Sequence, residues 1–239
     1  MLAGALFTED YLREGVRAAP GYAAARAAAA DLASFVQDLF AAVGDPARLN
    51  EAQTEDRIIR PLLDRLGWGD LRVVQAAATR SDVPDYLLFA GEDAFRIADP
   101  LASAEKFRHA AAVGDAKAWA VALDQRGAGA GRGETPTSQL LRYMDRAAAR
   151  SAGCRLGLLT NGRTWRLYSQ DVADRLSRFL EVDLLAALHG PGAGVLPLFD
   201  LRGVEPEHVN GSRIDYDDNR TIIGGRRWQR IGTRKLRAF

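Results

Sequence analysis

The 239-residue sequence predicts an α/β fold, a mixed central sheet flanked by helices, with further helices at the amino terminus. Three observations predict it. Apolar residues recur at helical spacing up to about Leu66. From Leu71 onward the pattern changes to short apolar runs separated by helical stretches. Two of those runs flank Asn161-Gly162, a dipeptide that suits the tight turn of a β-hairpin.

Residues Phe7 to Arg17 and Tyr22 to Val43 read as two helices, broken at Pro20-Gly21. In the second, Leu32, Phe35, Val36, Leu39 and Phe40 make one apolar face, and Gly44-Asp45-Pro46 ends it. A third helix is expected from Glu51 to Leu66, with Ile58, Ile59, Leu62, Leu63 and Leu66 as its buried stripe and Gly67 as its stop. Pro61 falls inside it and should kink it or break a turn. Leu71 to Val74 and Asp85 to Phe89 are strand candidates, and Pro84 is confined to the start of the second. Ala94 to Ala111 reads as mostly helical with an interruption near Pro100, and Val113 to Leu123 as a strand. Gly127 to Gly133 is a loop. Thr135-Pro136 pairs a capping hydroxyl with a residue suited to a first helical turn, opening a helix to about Ala152. Leu156 to Thr160 and Thr164 to Tyr168 form the hairpin; Phe179 to Val182 is a further strand, followed by a short helix to Leu188.

Three regions follow: an amino-terminal helical region over 1–48, a core over 49–199 and a basic tail over 200–239. Alanine, frequent up to Ala193, occurs once after Asp200, and the last fourteen residues hold no acid. A flexible tail that touches phosphates and a stretch read outside the natural frame both fit this composition. A net charge of +1 rules out a uniformly basic nucleic-acid binder and leaves room for a local basic groove. The single cysteine, Cys154, forms no internal disulfide, which suits a cytoplasmic protein. No signal peptide or membrane span is legible. His109, His189 and His208 show no metal spacing, and the glycines of 127–133 lack the Gly-Lys-Ser/Thr ending of a phosphate loop. Trp119, Trp165 and Cys154 are expected in the core.

The residues that suggest chemistry are Asp85, Asp115 and Lys117. Asp115 and Lys117 lie two apart on a predicted strand, so their side chains leave the same face. A carboxylate binds a hard cation such as Mg²⁺ through oxygen, and an adjacent lysine can position or deprotonate a water for attack. Asp85 heads another strand, and if the two strands are neighbours both carboxylates converge. Taken alone, Asp115 and Lys117 would be an exposed ion pair of little consequence.

Pro84-Asp85 followed after thirty residues by Asp115-x-Lys117 resembles the PD-(D/E)xK nuclease superfamily. That superfamily often carries a glutamate on the helix before its first core strand, where this chain has Glu55, and some branches carry Gln-x-x-x-Tyr on the following helix, matched by Gln139 and Tyr143. The arrangement is most similar to the amino-terminal nuclease region of fused type IIG restriction-modification polypeptides. The similarity includes Gly114-Asp115-Ala116-Lys117-Ala118-Trp119 and Gly157-Leu158-Leu159-Thr160-Asn161-Gly162 with Trp165 after it, and spans about Glu51 to Glu181. Two departures stand out. Glutamate is commoner than aspartate at the Asp115 position, and the chain has neither an Asn-Pro-Pro-Tyr motif nor a glycine-rich cofactor loop, so it is expected to be a fragment, a truncated product or a split subunit.

The resemblance implies a restriction-endonuclease-like core and a Mg²⁺-dependent endodeoxyribonuclease of a phage-defence, restriction-modification system, with Mn²⁺ able to substitute. Asp85 and Asp115 would hold the metal with the backbone carbonyl of Ala116, and Glu55 would support it. Lys117 would orient the attacking water, and Gln139 would orient Lys117 or the scissile phosphate. Arg142, Arg146 and Arg150 repeat at helical spacing, a solvated face or a row of phosphate contacts, with Tyr143 either beside the DNA or in the core. The implied partners are double-stranded DNA, a methyltransferase and target-recognition domain or subunit, and a second copy of the chain for cutting both strands. The alternative is a catalytically silent nucleic-acid-binding or methyltransferase-docking module on the same fold.

Overall fold

Alternation along the strands assigns each side chain to one of two apolar layers, and that division sets the architecture. The computed structural model describes residues 2–3, 5–8, 11–12, 14–18, 22–74, 83–126, 133–150 and 153–189, and strand backbone at 220–223, 226–231 and 235–238. Strands β1 (Leu2–Ala3), β2 (Arg72–Val74), β3 (Tyr86–Leu88), β4 (Ala112–Ala116), β5 (Leu156–Thr160), β6 (Thr164–Ser169) and β7 (Leu180–Asp183) form one mixed seven-stranded sheet in the order β1-β7-β6-β5-β4-β3-β2. Only β4 and β5 run parallel; every other neighbouring pair is antiparallel. A parallel pair needs a crossover, and the chain between Ala116 and Leu156 supplies it with helix α5 (Pro136–Arg150).

The first apolar layer joins Tyr86, Leu88, Ala112, Leu156, Leu158, Trp165 and Leu167 of the sheet to helix α1 (Tyr22–Val43) and to the helical run that follows it. The second joins Leu87, Val113, Leu159 and Tyr168 to Leu140, Met144 and Ala147 of α5, and to the region of α3 (Glu92–Ala98) and α4 (Ser103–Lys106). The central strands are therefore buried on both faces and read as near-continuous apolar runs. α6 (Leu184–His189) closes the core after β7.

α1 matches its expected bounds: alanine favours helix, Leu32 and Val36 are buried one turn apart, and Gly44 at φ 75° lets the chain leave. The next helical run, α2, comprises Glu51–Thr54, Glu55–Ile59, Arg60–Leu63 and Asp64–Trp68. Asn50 and Gln53 cap its start reciprocally. At Pro61, where the sequence predicts a kink or a locally broken turn, the regular α winding is interrupted without ending the helix. Glu55–Ile59 is wound as a π-helix, with Arg60 N–H donating to the Glu55 carbonyl, and the wider turn carries the helix past a residue that has no N–H to give. Ile58, Ile59, Leu62, Leu63 and Leu66 are buried as expected, each worth about 1.5–3 kcal/mol. Gly67 ends the regular winding at φ 87°.

Two sequence expectations need correction. The helix expected over Phe7 to Arg17 is, among its described residues, a bend at Phe7, helical Tyr11 and Leu12, and a 3-10 turn at Gly15–Ala18. Leu6 N–H donates to the Phe179 carbonyl at 3.2 Å, and burial of Leu6 and Phe7 holds this stretch against the sheet. The strand expected from Val113 to Leu123 stops at Ala116, because β3 has already ended on one side and β5 turns at Asn161-Gly162 on the other. The Pro20-Gly21 break and most of the Gly127–Gly133 loop lie outside the described residues, as does 190–219. Within the basic tail, β8 (Arg220–Ile223), β9 (Arg226–Ile231) and β10 (Lys235–Ala238) pair antiparallel in the order β10-β9-β8. Among the described residues no helix is long and apolar enough to cross a membrane.

Gly157 lets α5 pack closely on the sheet: a Cβ there would lie 2.3 Å from Met144 Sδ and 3.2 Å from Leu140 Cδ2. Gly157→Ala is expected to destabilise the protein by about 1–3 kcal/mol in urea unfolding. The loss should be smaller in a Met144→Ala background, which removes the clashing atoms.

Candidate active site

The register of β3 on β4 pairs Tyr86 with Gly114, so the next residues outward, Asp85 and Asp115, stand opposite one another. Both lie on the α5 side of the sheet, since Tyr86 and Gly114 belong to the other face. Asp85 Oδ2 accepts the Ala116 N–H at 2.8 Å, which ties the head of β3 to the end of β4. Lys117 N–H donates to the Thr160 carbonyl at 2.8 Å, extending the ladder by one residue past the strand. Its ammonium Nζ then lies 2.6 Å from Asp115 Oδ2. The three residues singled out in the sequence thus meet at the carboxyl end of β4, outside the one parallel strand pair.

Asp115 is 2 % exposed. Burial pushes its carboxyl up to about 7; Lys117 opposes that shift and the neighbouring Asp85 adds to it. Lys117 behaves in the opposite sense. Burial alone would lower its pKa, but the charges of Asp115, Asp85 and Glu51 outweigh burial and raise it, so the ammonium form is favoured.

Asp115 Oδ2 is buried and accepts no hydrogen bond, for the Lys117 contact is close in distance but poorly directed. A buried carboxylate oxygen with an unmet lone pair, facing a second carboxylate, suits a hard divalent cation: Mg²⁺ commonly takes one or two carboxylates and completes its shell with water and phosphate oxygens. Among the described residues no cluster of three or more His, Cys, Asp or Glu side chains is placed to hold a metal, so the fit is to a two-carboxylate site. Ala116 contributes its N–H, through the bond to Asp85.

The other expected members are distributed around this centre. Gln139 Nε2 donates to Tyr143 Oη at 2.8 Å. Tyr143 is buried, which raises its pKa; the Gln139 bond lowers it and the Asp115 charge raises it, so both groups lie within the field of the site. Arg142 forks onto Glu134 and lies over the Tyr143 ring at 5.0 Å, while Arg146 is exposed one turn further on. Glu55, 5 % exposed, is directed elsewhere: its Oε2 accepts from Tyr86 Oη at 2.5 Å and from Arg60 Nη2 at 3.2 Å, on the side of the sheet opposite Asp115. The acid of α2 whose charge reaches Lys117 is Glu51, one turn earlier on the same helix. The family resemblance pointed to Glu55; Glu51, at the start of the same helix, is nearer the end of β4 that carries Lys117.

Sequence reasoning also missed Arg166. It stands in the same row across the sheet as Asp115, paired in turn through Leu159 on β5, and next to Glu181 on β7. Its guanidinium grips Asp124 at 2.6 and 2.7 Å, reaches Glu181 at 2.6 Å and lies over Phe179 at 4.4 Å. Thr137 Oγ1 donates to the Leu123 carbonyl at 3.0 Å, so the loop after Lys117, the start of α5 and the sheet are fastened at one point. Asn161 Nδ2 holds the same loop by the Val121 carbonyl at 2.9 Å, and Thr54 Oγ1 accepts the Trp119 N–H at 3.2 Å. An arginine between Trp165 and Leu167 in an otherwise apolar strand was the available clue. Trp165 and Cys154 are core residues as expected, and burial pushes the Cys154 thiol up to about 12; Trp119 is half-buried against Phe40. Comparison with protein-family models, with curated proteins and with solved structures finds no match.

Two outcomes follow from this geometry. A carboxyl whose folded pKa lies above its ordinary 3.8 binds its extra proton in the folded state, so stability falls as pH rises from about 4 to about 7. In metal-free protein, urea unfolding across that window should show this decline, and Asp115→Asn should flatten it. Glu55→Ala leaves the Tyr86 hydroxyl buried without its acceptor and is expected to cost about 1–3 kcal/mol by the same measurement.

Proposed function

We propose that this chain is a metal-dependent endonuclease domain of the PD-(D/E)xK kind, with a restriction-endonuclease-like core, acting on double-stranded DNA within a restriction-modification system. The observation that carries the reading is the convergence of Asp85, Asp115 and Lys117 at the carboxyl end of β4, with one buried oxygen of Asp115 left without a hydrogen bond.

Asp85 and Asp115 would hold Mg²⁺, or Mn²⁺ in its place. When bound, the metal supplies a Lewis acid that neutralises charge developing on a phosphodiester and makes water a better nucleophile. Asp85 keeps the strand ends together through Ala116 N–H, which fixes the separation of the two carboxylates. Lys117, with its pKa raised, works as a hydrogen-bond donor that orients water, and proton abstraction would need its surrounding charge to change first. The Gln139–Tyr143 pair borders the site on α5, where Gln139 would meet the scissile phosphate if its bond to Tyr143 exchanges. Glu55 acts in this reading by holding Tyr86 and the helix position, with Glu51 the acid that influences Lys117. The target-recognition and methyltransferase functions would come from a partner domain or subunit, and two copies would cut both strands.

One feature favours the second reading, a silent nucleic-acid-binding or docking module. Lys117 already neutralises Asp115, so a structure without metal leaves little net charge to attract one. Nicking of supercoiled plasmid separates the two. Magnesium-dependent nicking is expected from the intact chain, falling about 100-fold or more in Asp85→Ala and in Lys117→Ala. Cleavage that survives both substitutions would sink the site. Absence of any Asp85-dependent heat of Mg²⁺ or Mn²⁺ binding would favour the silent module.

A further inference from the structure

Beside the candidate site, on the α5 side of the sheet, lies a cavity of about 570 Å³. One wall is Val83 and Pro84, and Pro84 is joined directly to Asp85. Phe107 and Tyr143 form the floor, both buried. Arg146 and Arg150, four residues apart on one face of α5, make an exposed cationic rim. The Arg150 guanidinium lies over the Phe107 ring at 5.7 Å, so its charge is set above the apolar floor. Tyr143 is common to cavity and site: it lines the one and takes the Gln139 hydrogen bond of the other.

The size falls within the range of about 300–1,000 Å³ in which small ligands or single groups are enclosed. A bare anion would gain nothing from Pro84 and Phe107, and an apolar ligand nothing from two guanidiniums. A nucleotide uses both: a flat base fits between apolar and aromatic surfaces, and its phosphates pair with arginine. A base stacked inside a paired duplex cannot enter a cavity, so the occupant must be unpaired or extruded. We propose that this cavity receives one unpaired nucleobase of the bound nucleic acid, with Arg146 and Arg150 on the flanking phosphates. The preferred substrate is then DNA with an unpaired nucleotide beside the phosphate that meets Asp85 and Asp115. This rests on the nuclease reading for the identity of the ligand, but not for its test.

The test is fluorescence anisotropy of the full chain in EDTA with two labelled DNA duplexes, one fully paired and one with a single-nucleotide bulge. The intact protein is expected to bind the bulged duplex about tenfold more tightly. Ala149→Trp, which fills the cavity from its exposed rim, should bring the two affinities together while leaving that for the paired duplex unchanged. Arg150→Gln, at an exposed position, should weaken binding of both duplexes, the bulged one more, and so narrow the difference; it serves if the bulkier variant does not fold by circular dichroism. Equal affinities in the intact protein, or a preference that persists in a folded cavity variant, would overturn the proposal. Because EDTA removes divalent metal, the two readings fail separately. Cleavage without a bulge preference sinks the cavity alone, and a cavity-dependent preference without cleavage sinks the nuclease alone.

Discussion

Everything distinctive about this molecule depends on keeping a carboxylate, Asp115, in the interior of the sheet. A buried ionised group is tolerated only with compensation, and two neighbours supply or modify it. Lys117 follows on the same face with its ammonium in contact. Asp85 stands opposite and is turned toward the Ala116 N–H, so its own charge is partly satisfied by backbone. Burial still wins over these neighbours and raises the Asp115 carboxyl. The result is a carboxyl held in the sheet interior between an ammonium and a second carboxylate, with its pKa raised by burial.

The compensation works only if the strand ends stay in register, and the Arg166 cluster secures them. Arg166 joins β6, β7 and the loop after Lys117 through Glu181 and Asp124, and Thr137 adds the first turn of α5. Desolvation of the guanidinium opposes its charge, yet Asp124, Tyr168 and Glu181 more than offset this and keep it protonated. The cluster therefore holds α5, which brings Gln139 and Tyr143, against the same edge of the sheet that carries Asp115. On the opposite face α2 plays a matching part. Its π-wound turn allows Pro61 to remain inside a continuous helix, and Glu55 fastens that helix to Tyr86 on β3. Asp85 and Tyr86 are consecutive, so the Glu55 bond to Tyr86 steadies the head of β3, next to Asp85, from the opposite face.

Much of the fold was legible in the sequence because the relevant signals are local. The bounds of α1 and α5, the hairpin at Asn161-Gly162, the strand beginning after Pro84 and the short helix after Val182 depend on periodicity, capping and turn chemistry within a few residues. Where expectation failed, the deciding partner was remote. The strand after Ala116 ends because its neighbours end, and the stretch around Phe7 follows the sheet to which Leu6 is bonded. At Pro61, by contrast, the local rule holds, for the α winding gives way to a π turn directly upstream.

For the candidate site, the sequence by itself determined the residue types and the two-residue spacing that places Asp115 and Lys117 on one face, since side-chain alternation is a property of any strand. Only the tertiary structure decided that Asp85 faces Asp115, because that depends on which strand pairs with β4 and in what register. It also decided that Glu55 turns to Tyr86 while Glu51 lies within the field of Lys117, and that Arg166 is a fastening and not a surface charge. The physical reason is the same throughout. A pattern along the chain fixes direction and face, whereas burial, pairing and charge compensation depend on groups that are distant in sequence and meet only when the sheet and its two helical layers are assembled.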